Sequence, residues 1–190
     1  CNQCGDTVKE ENSMTDTRPG DCSCGSGCCP PQATKKVAIE FLYLDLNVCE
    51  RCQGTESNLE AALREVAAVL NAAGYEVVVD KINVTSAELA VQHRFLSSPT
   101  IRVNGQDLAL DVTETICQDC GSLCGEETLC RSWLHEGVEY DEPPKALLIE
   151  GHLKAVFGGG QPALAGPEPY VLPANLAKFF AGLADKKSET

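Results

Sequence analysis

Twelve of the 190 residues are cysteine, in three groups. Cys1, Cys4, Cys22, Cys24, Cys28 and Cys29 lie near the start, Cys49-Glu50-Arg51-Cys52 forms a central pair, and Cys117, Cys120, Cys124 and Cys130 follow. A Cys-x-x-Cys on a turn or a helix start brings two sulfurs close enough for an S–S bond of about 2.05 Å. Such a pair can cycle between dithiol and disulfide if one sulfur is ionised near neutral pH. A thiol of pKa about 8.5 is only ~3% thiolate at pH 7, and lowering the pKa to about 7 raises this to half. Helix N-terminal N–H groups and the Arg51 guanidinium would favour the thiolate, and Glu50 would oppose it. Arg51 otherwise reads as a solvated surface residue. The pair itself otherwise reads as a permanent staple or a closed metal knuckle.

The later group has a second pair, Cys117-Gln118-Asp119-Cys120-Gly121, and the chain begins with another of the same form, Cys1-Asn2-Gln3-Cys4-Gly5. Cys117, Cys120, Cys124 and Cys130 could close one tetrahedral zinc site, with Zn–S about 2.3 Å. They could equally form a disulfide staple, or receive a disulfide from the central pair. A cuboidal iron–sulfur cluster fits less well, because its known four-cysteine spacings differ. Cys22-Ser23-Cys24-Gly25-Ser26-Gly27-Cys28-Cys29 is a tract of soft ligands separated only by Gly and Ser. Soft thiolates select Cu(I) and Zn, and by the same logic Hg(II) or trivalent arsenic. Adjacent Cys28 and Cys29 cannot easily form a relaxed disulfide with each other. The alternative there is a set of ordinary reduced thiols. His93, His135 and His152 show no metal spacing among themselves, although His135 is near Cys130 and could join that group.

The elements that must position these residues follow from periodicity. Val37–Leu46 is nearly all apolar, as in a strand buried on both faces. Ser57 and Glu60 form a capping box, and Leu59, Leu63, Val66, Val69 and Leu70 recur at helical spacing until Gly74. Tyr75–Val84 is β-branched and reads as a second buried strand, so the unit is a right-handed parallel crossover. Ser86 caps a shorter helix. Asn104-Gly105 turns a hairpin between 100–103 and 107–110. Residues 111–142 then intervene, with Trp133 and Tyr140 flanking a Glu136-Gly137 turn. A helix follows over Lys145–Phe157, after Pro143-Pro144. Three regions result: a cysteine-rich arm over 1–36 with few large apolar side chains, flexible unless cross-linked or metal-ordered; a domain over 37–157 carrying the insertion 111–142; and a Pro/Gly-rich tail over 158–190 with a short amphipathic helix near 174–184.

The net charge is −13. An acidic chain repels phosphate backbones and anionic lipid, which argues against nucleic-acid and membrane-surface roles. No apolar run approaches the ~20 residues of a spanning helix, and no stretch near the start reads as a signal peptide. A cytoplasmic location is therefore expected. No phosphate loop, serine nucleophile motif or paired carboxylates are found.

Three joined features make the chain similar to the thioredoxin superfamily over 37–110 and 144–157. They are C-E-R-C at 49–52, S-S-P-T-I at 97–101, and the order β-α-β-α-β-β-α. The block C-R-S-W-L-H-E-G-V-E-Y-D-E-P-P at 130–144 also resembles the ending of an uncharacterised prokaryotic thioredoxin-like family with no assigned reaction. The resemblance implies an α/β thioredoxin-like fold with a Cys-rich insertion before the last helix and a Cys-rich N-terminal arm. It implies that Pro99 is cis and faces the sulfurs, and that Ser98 and Thr100 beside it, with Arg51, help form the binding surface, with backbone presented to a bound peptide or thiol. It makes Cys49 the attacking sulfur and Cys52 the resolving one. Two features depart from the superfamily pattern. Asn47-Val48 and Glu50-Arg51 stand where thioredoxins carry Trp and Gly-Pro, and the capping box would start the helix near Ser57, leaving the cysteines in a loop.

Three functions are then open. The first is a thiol–disulfide oxidoreductase, needing no cofactor for exchange, that acts on protein or small-molecule thiols and disulfides. Its accessory cysteines would bind soft metal or relay electrons. The second is a noncatalytic protein that binds or detoxifies Zn, Cu(I), Hg(II) or As(III) on the same scaffold. The third is an interaction module that uses the tail helix.

Overall fold

The computed structural model describes residues 35–109, 111–158 and 169–188. The cysteine-rich arm, with Cys22, Cys24, Cys28 and Cys29 as expected soft-metal ligands, lies outside them. The first strand, β1 (Lys35–Tyr43), leads to helix α1 (Glu50–Ala72), strand β2 (Tyr75–Asn83) and the short helix α2 (Ala87–Gln92). Strands β3 (Thr100–Val103) and β4 (Gln106–Asp107) make the hairpin. The insertion folds as β5 (Thr113–Ile116), α3 (Gln118–Cys124), β6 (Leu129–His135) and β7 (Val138–Tyr140). Two helices close the order, α4 (Lys145–Phe157) and α5 (Ala174–Ser188).

The main sheet runs β2-β1-β3-β4, with β1 parallel to β2 and antiparallel to β3. This is the expected α/β thioredoxin-like arrangement, with the cysteine-rich insertion before α4. The insertion's strands make a second antiparallel sheet, β5-β6-β7. Both tight turns have positive φ at two successive residues, Asn104 and Gly105 in one and Glu136 and Gly137 in the other. Asn-Gly adopts such φ values with little strain.

The strands differ from their sequence pattern in burial. In β1, Val37, Ile39 and Phe41 are buried while Ala38 is exposed and Glu40 half-buried. Only toward its end, at Leu42, is the other face also covered. β2 is an edge strand with no fully buried residue. Its β-branched run reflects propensity for the pleated surface rather than burial. Alternation along β1 feeds two cores. Val37, Ile39 and Phe41 pack with Leu59, Leu63, Trp133 and Leu148. Leu42 and Leu44 belong to the other, with Val84, Phe95, Leu176, Phe179 and all six described cysteines. The tail helix α5 thus packs back onto the domain. Among the described residues no helix is long and apolar enough to cross a membrane.

Candidate metal centre

Helix α1 begins at Glu50, seven residues before the capping box at Ser57 would place it. Cys49 is its N-cap, and the Cys52 N–H donates to Cys49 Sγ at 3.4 Å. Two interactions set this earlier start. Asp45 Oδ1 accepts from the N–H groups of Asn47 and Val48, both at 2.7 Å, which turns the chain into the helix. Asp119, inside the second cysteine pair, accepts from the Glu50 N–H at 2.9 Å. A carboxylate from the insertion therefore satisfies a free N–H of α1, a long-range cap invisible to local pattern.

Cys117 in turn is the N-cap of α3, fixed by its N–H to Thr128 O at 2.8 Å. Cys120 lies in the first turn of α3 and Cys130 on β6. The two Cys-x-x-Cys segments face each other. Cys49 Sγ is 3.9 Å from Cys117 Sγ, and Cys130 Sγ is 3.4 Å from Cys120 Sγ. The sulfurs of Cys49, Cys117 and Cys120 all lie within 4.8 Å of one another. A zinc ion with Zn–S of about 2.3 Å holds its sulfurs about 3.8 Å apart by tetrahedral geometry. The observed spacing matches sulfurs sharing one ion, so these residues could hold a metal. A cuboidal cluster would spread its four thiolates over separate irons, farther apart than this.

The sulfurs also polarise one another. The neighbouring Cys117 sulfur, followed by those of Cys120, Cys130 and Cys52, holds the Cys49 thiol far below the ordinary range. Cys120 foremost lowers Cys117 as well. Cys120 is pushed up, first by Cys117, then by Cys130 and Cys49. Cys130 is also raised, chiefly by Cys117. Cys52 rises because of Cys49 and then burial.

The remaining predicted residues are placed as follows. Ser98-Pro99 is a cis peptide bond, and Ser98 Oγ lies 3.5 Å from Cys52 Sγ. Cys49, Cys52, Ser98 and Pro99 are all buried, with no exposure at either sulfur-bearing residue. Ser98 O, the acceptor expected to face a bound peptide, already receives the Arg131 N–H of β6 at 2.7 Å. Thr100 is buried, and its hydroxyl donates to Ser97 O at 2.6 Å. Cys124 stands apart from the sulfur set. Its Sγ meets Thr128 Oγ1 at 3.2 Å and Glu126 O at 3.4 Å. Of the four later cysteines, three join Cys49 and the fourth turns away. His135 sits at the end of β6, paired with Val138.

Three features have no signal in the sequence. Arg51, which could have been a solvated residue, has a side chain only 9% exposed and bonds the insertion. Arg131 is fully buried, forked onto Asp107 at 2.7 and 2.8 Å. Leu176 and Phe179 of α5 pack in the same core as the cysteines. The two matching Cys-x-x-Cys pairs were the only hint that Cys49 would join Cys117 and Cys120.

A family model described as "Domain of unknown function (DUF2703)" matches residues 37–152, more than half of the chain, and the chain belongs to that family. The match spans the sheet, the insertion and all six described cysteines, and ends before α5. No curated protein and no solved structure matches the chain.

Proposed function

We propose that this member of the DUF2703 family binds one soft metal or metalloid ion through Cys49, Cys117, Cys120 and Cys130, on a scaffold of the thioredoxin superfamily. The observation that carries the reading is the convergence of buried sulfurs from two Cys-x-x-Cys segments and β6: those of Cys49, Cys117 and Cys120 lie within 4.8 Å of one another, and that of Cys130 lies 3.4 Å from Cys120. The strand order, the cis Ser98-Pro99 bond and a cysteine pair opening α1 support the superfamily assignment.

An all-sulfur set favours Zn(II), Cu(I), Hg(II) or As(III) over hard cations. A cysteine ligates as the thiolate, so binding would release protons from these thiols. The same burial argues against exchange with an external protein disulfide. Neither Cys49 nor Cys52 reaches the surface, and β6 takes the backbone acceptor beside Pro99. Thiol–disulfide exchange is the second reading, favoured by Cys49 at a helix start with Cys52 one turn on and the Ser98 hydroxyl beside Cys52.

One experiment separates the two. The reduced protein is titrated with Co(II), and insulin reduction is assayed on the same sample. The metal reading expects sulfur-to-cobalt charge-transfer absorption that weakens in Cys49→Ser as one of four thiolates is lost, and no insulin reduction above background. Robust insulin reduction abolished by Cys49→Ser, with a cobalt spectrum that the substitution leaves unchanged, would restore exchange.

A further inference from the structure

The proposed centre is divided between two parts of the chain. Cys49 comes from the start of α1, while Cys117, Cys120 and Cys130 all come from the insertion. Something must hold the halves together. Arg51, inside the first cysteine pair, reaches across. Its Nη1 donates to Thr115 Oγ1 at 2.9 Å, to Cys130 O at 3.0 Å and to Arg131 O at 3.4 Å. Its Nη2 donates to Ile116 O at 3.5 Å and pairs with Asp141 at 2.5 Å. Two of these carbonyls belong to a proposed ligand, Cys130, and to Ile116, the neighbour of Cys117. The contacts fall on both β5 and β6, on either side of α3 in the chain.

We propose that Arg51 is the positioning residue of this centre, fastening β5, which leads into Cys117, and β6, which carries Cys130, to the helix start that carries Cys49. The inference rests on the four-thiolate reading above. A planar guanidinium directs several N–H groups at once along fixed directions, which an ammonium cannot do. Four carbonyl and hydroxyl acceptors from two strands need such a fork. Its carboxylate partner, Asp141, is 68% exposed. Partners that orient ligands without touching the metal are worth about 10–100-fold in affinity. Without Arg51, the ion itself would have to bear the cost of bringing the insertion against Cys49.

The test uses the full chain with the six arm cysteines changed to serine, so that only the centre reports. Zn(II) affinity is measured by competition with a chelating indicator, and the Co(II) spectrum is recorded alongside. Arg51→Met is expected to weaken Zn(II) binding about 10–100-fold, with a reduced charge-transfer band and retained far-UV circular dichroism. Arg51→Lys keeps the charge but not the fork. It should lose most of the same affinity, and it carries the test if Arg51→Met does not fold. In a Cys49→Ser background the remaining three ligands all lie in the insertion, so adding Arg51→Met should change affinity by no more than about two-fold. An equal loss in both backgrounds would mean general support of the fold and would overturn the inference. Unchanged affinity in Arg51→Met and Arg51→Lys would overturn it while leaving the centre standing. A parent protein that takes up neither Zn(II) nor Co(II) would bring down both.

Discussion

Cys124 and Cys130 are both buried and belong to one sequence cluster, yet they have different chemistry. Cys130 Sγ lies against Cys120 Sγ, whereas Cys124 Sγ lies against oxygens of Gly121, Glu126 and Thr128. A serine at 124 retains a donor for those oxygens, while a serine at 130 replaces a soft ligand with a hard one. Cys124→Ser is therefore expected to keep a full equivalent of bound Co(II), and Cys130→Ser to lose the tetrahedral thiolate spectrum. Titration of both variants with optical detection checks this, and loss of the spectrum in both would restore a set drawn wholly from the later cysteines. Spacing showed that these residues could coordinate, but not which would. A Cys-x-x-Cys has local geometry, so Cys49 with Cys52 and Cys117 with Cys120 were readable as pairs. Cys124 is turned away by Thr128 and by the αL residue Gly125 that ends α3, and neither effect has a periodic signature.

At the scale of elements, α5 matters most for access to the centre. Leu176 and Phe179 pack among the cysteines, and Asn175 bonds both the N–H and the carbonyl of Leu129, next to Cys130. Gly182 lets α5 approach α3: a Cβ there would overlap the backbone carbonyl of Cys124. Backbone cannot step aside as a side chain can, so Gly182→Ala must displace α5 or α3. Overpacking of this kind costs about 1–3 kcal/mol. The expected result is a lower melting temperature and faster modification of the buried thiols by an aromatic disulfide reagent, measured on the chain with serine in place of the arm cysteines. An unchanged melting temperature and unchanged thiol reactivity would show that α5 does not seal the centre. The amphipathic stripe of α5 was legible, because Leu176, Phe179, Phe180 and Leu183 recur at helical spacing. Its docking place was not, because that depends on a glycine meeting a carbonyl 58 positions earlier in the chain. The early start of α1 was hidden for the same reason, since Asp119 caps it from the insertion.

Across the whole molecule, the start of α1 supplies one proposed ligand and the insertion supplies three. The sheet order was readable because strand–helix–strand, a capped short helix and an Asn-Gly hairpin each carry local signals that agree. The docking of the insertion onto the start of α1 was not, because it is made by Arg51 and Asp119, polar residues that on a surface would be unremarkable. The family match covers both parts, so the unit that could build the centre lies within it. X-ray absorption at the zinc edge of the zinc-loaded chain, with serine in place of the arm cysteines, addresses the central claim most directly. The account predicts a single shell of four sulfurs at about 2.3 Å with no light-atom ligand, falling to three in Cys49→Ser. A shell containing nitrogen or oxygen in the parent protein, or one unchanged by Cys49→Ser, would contradict it.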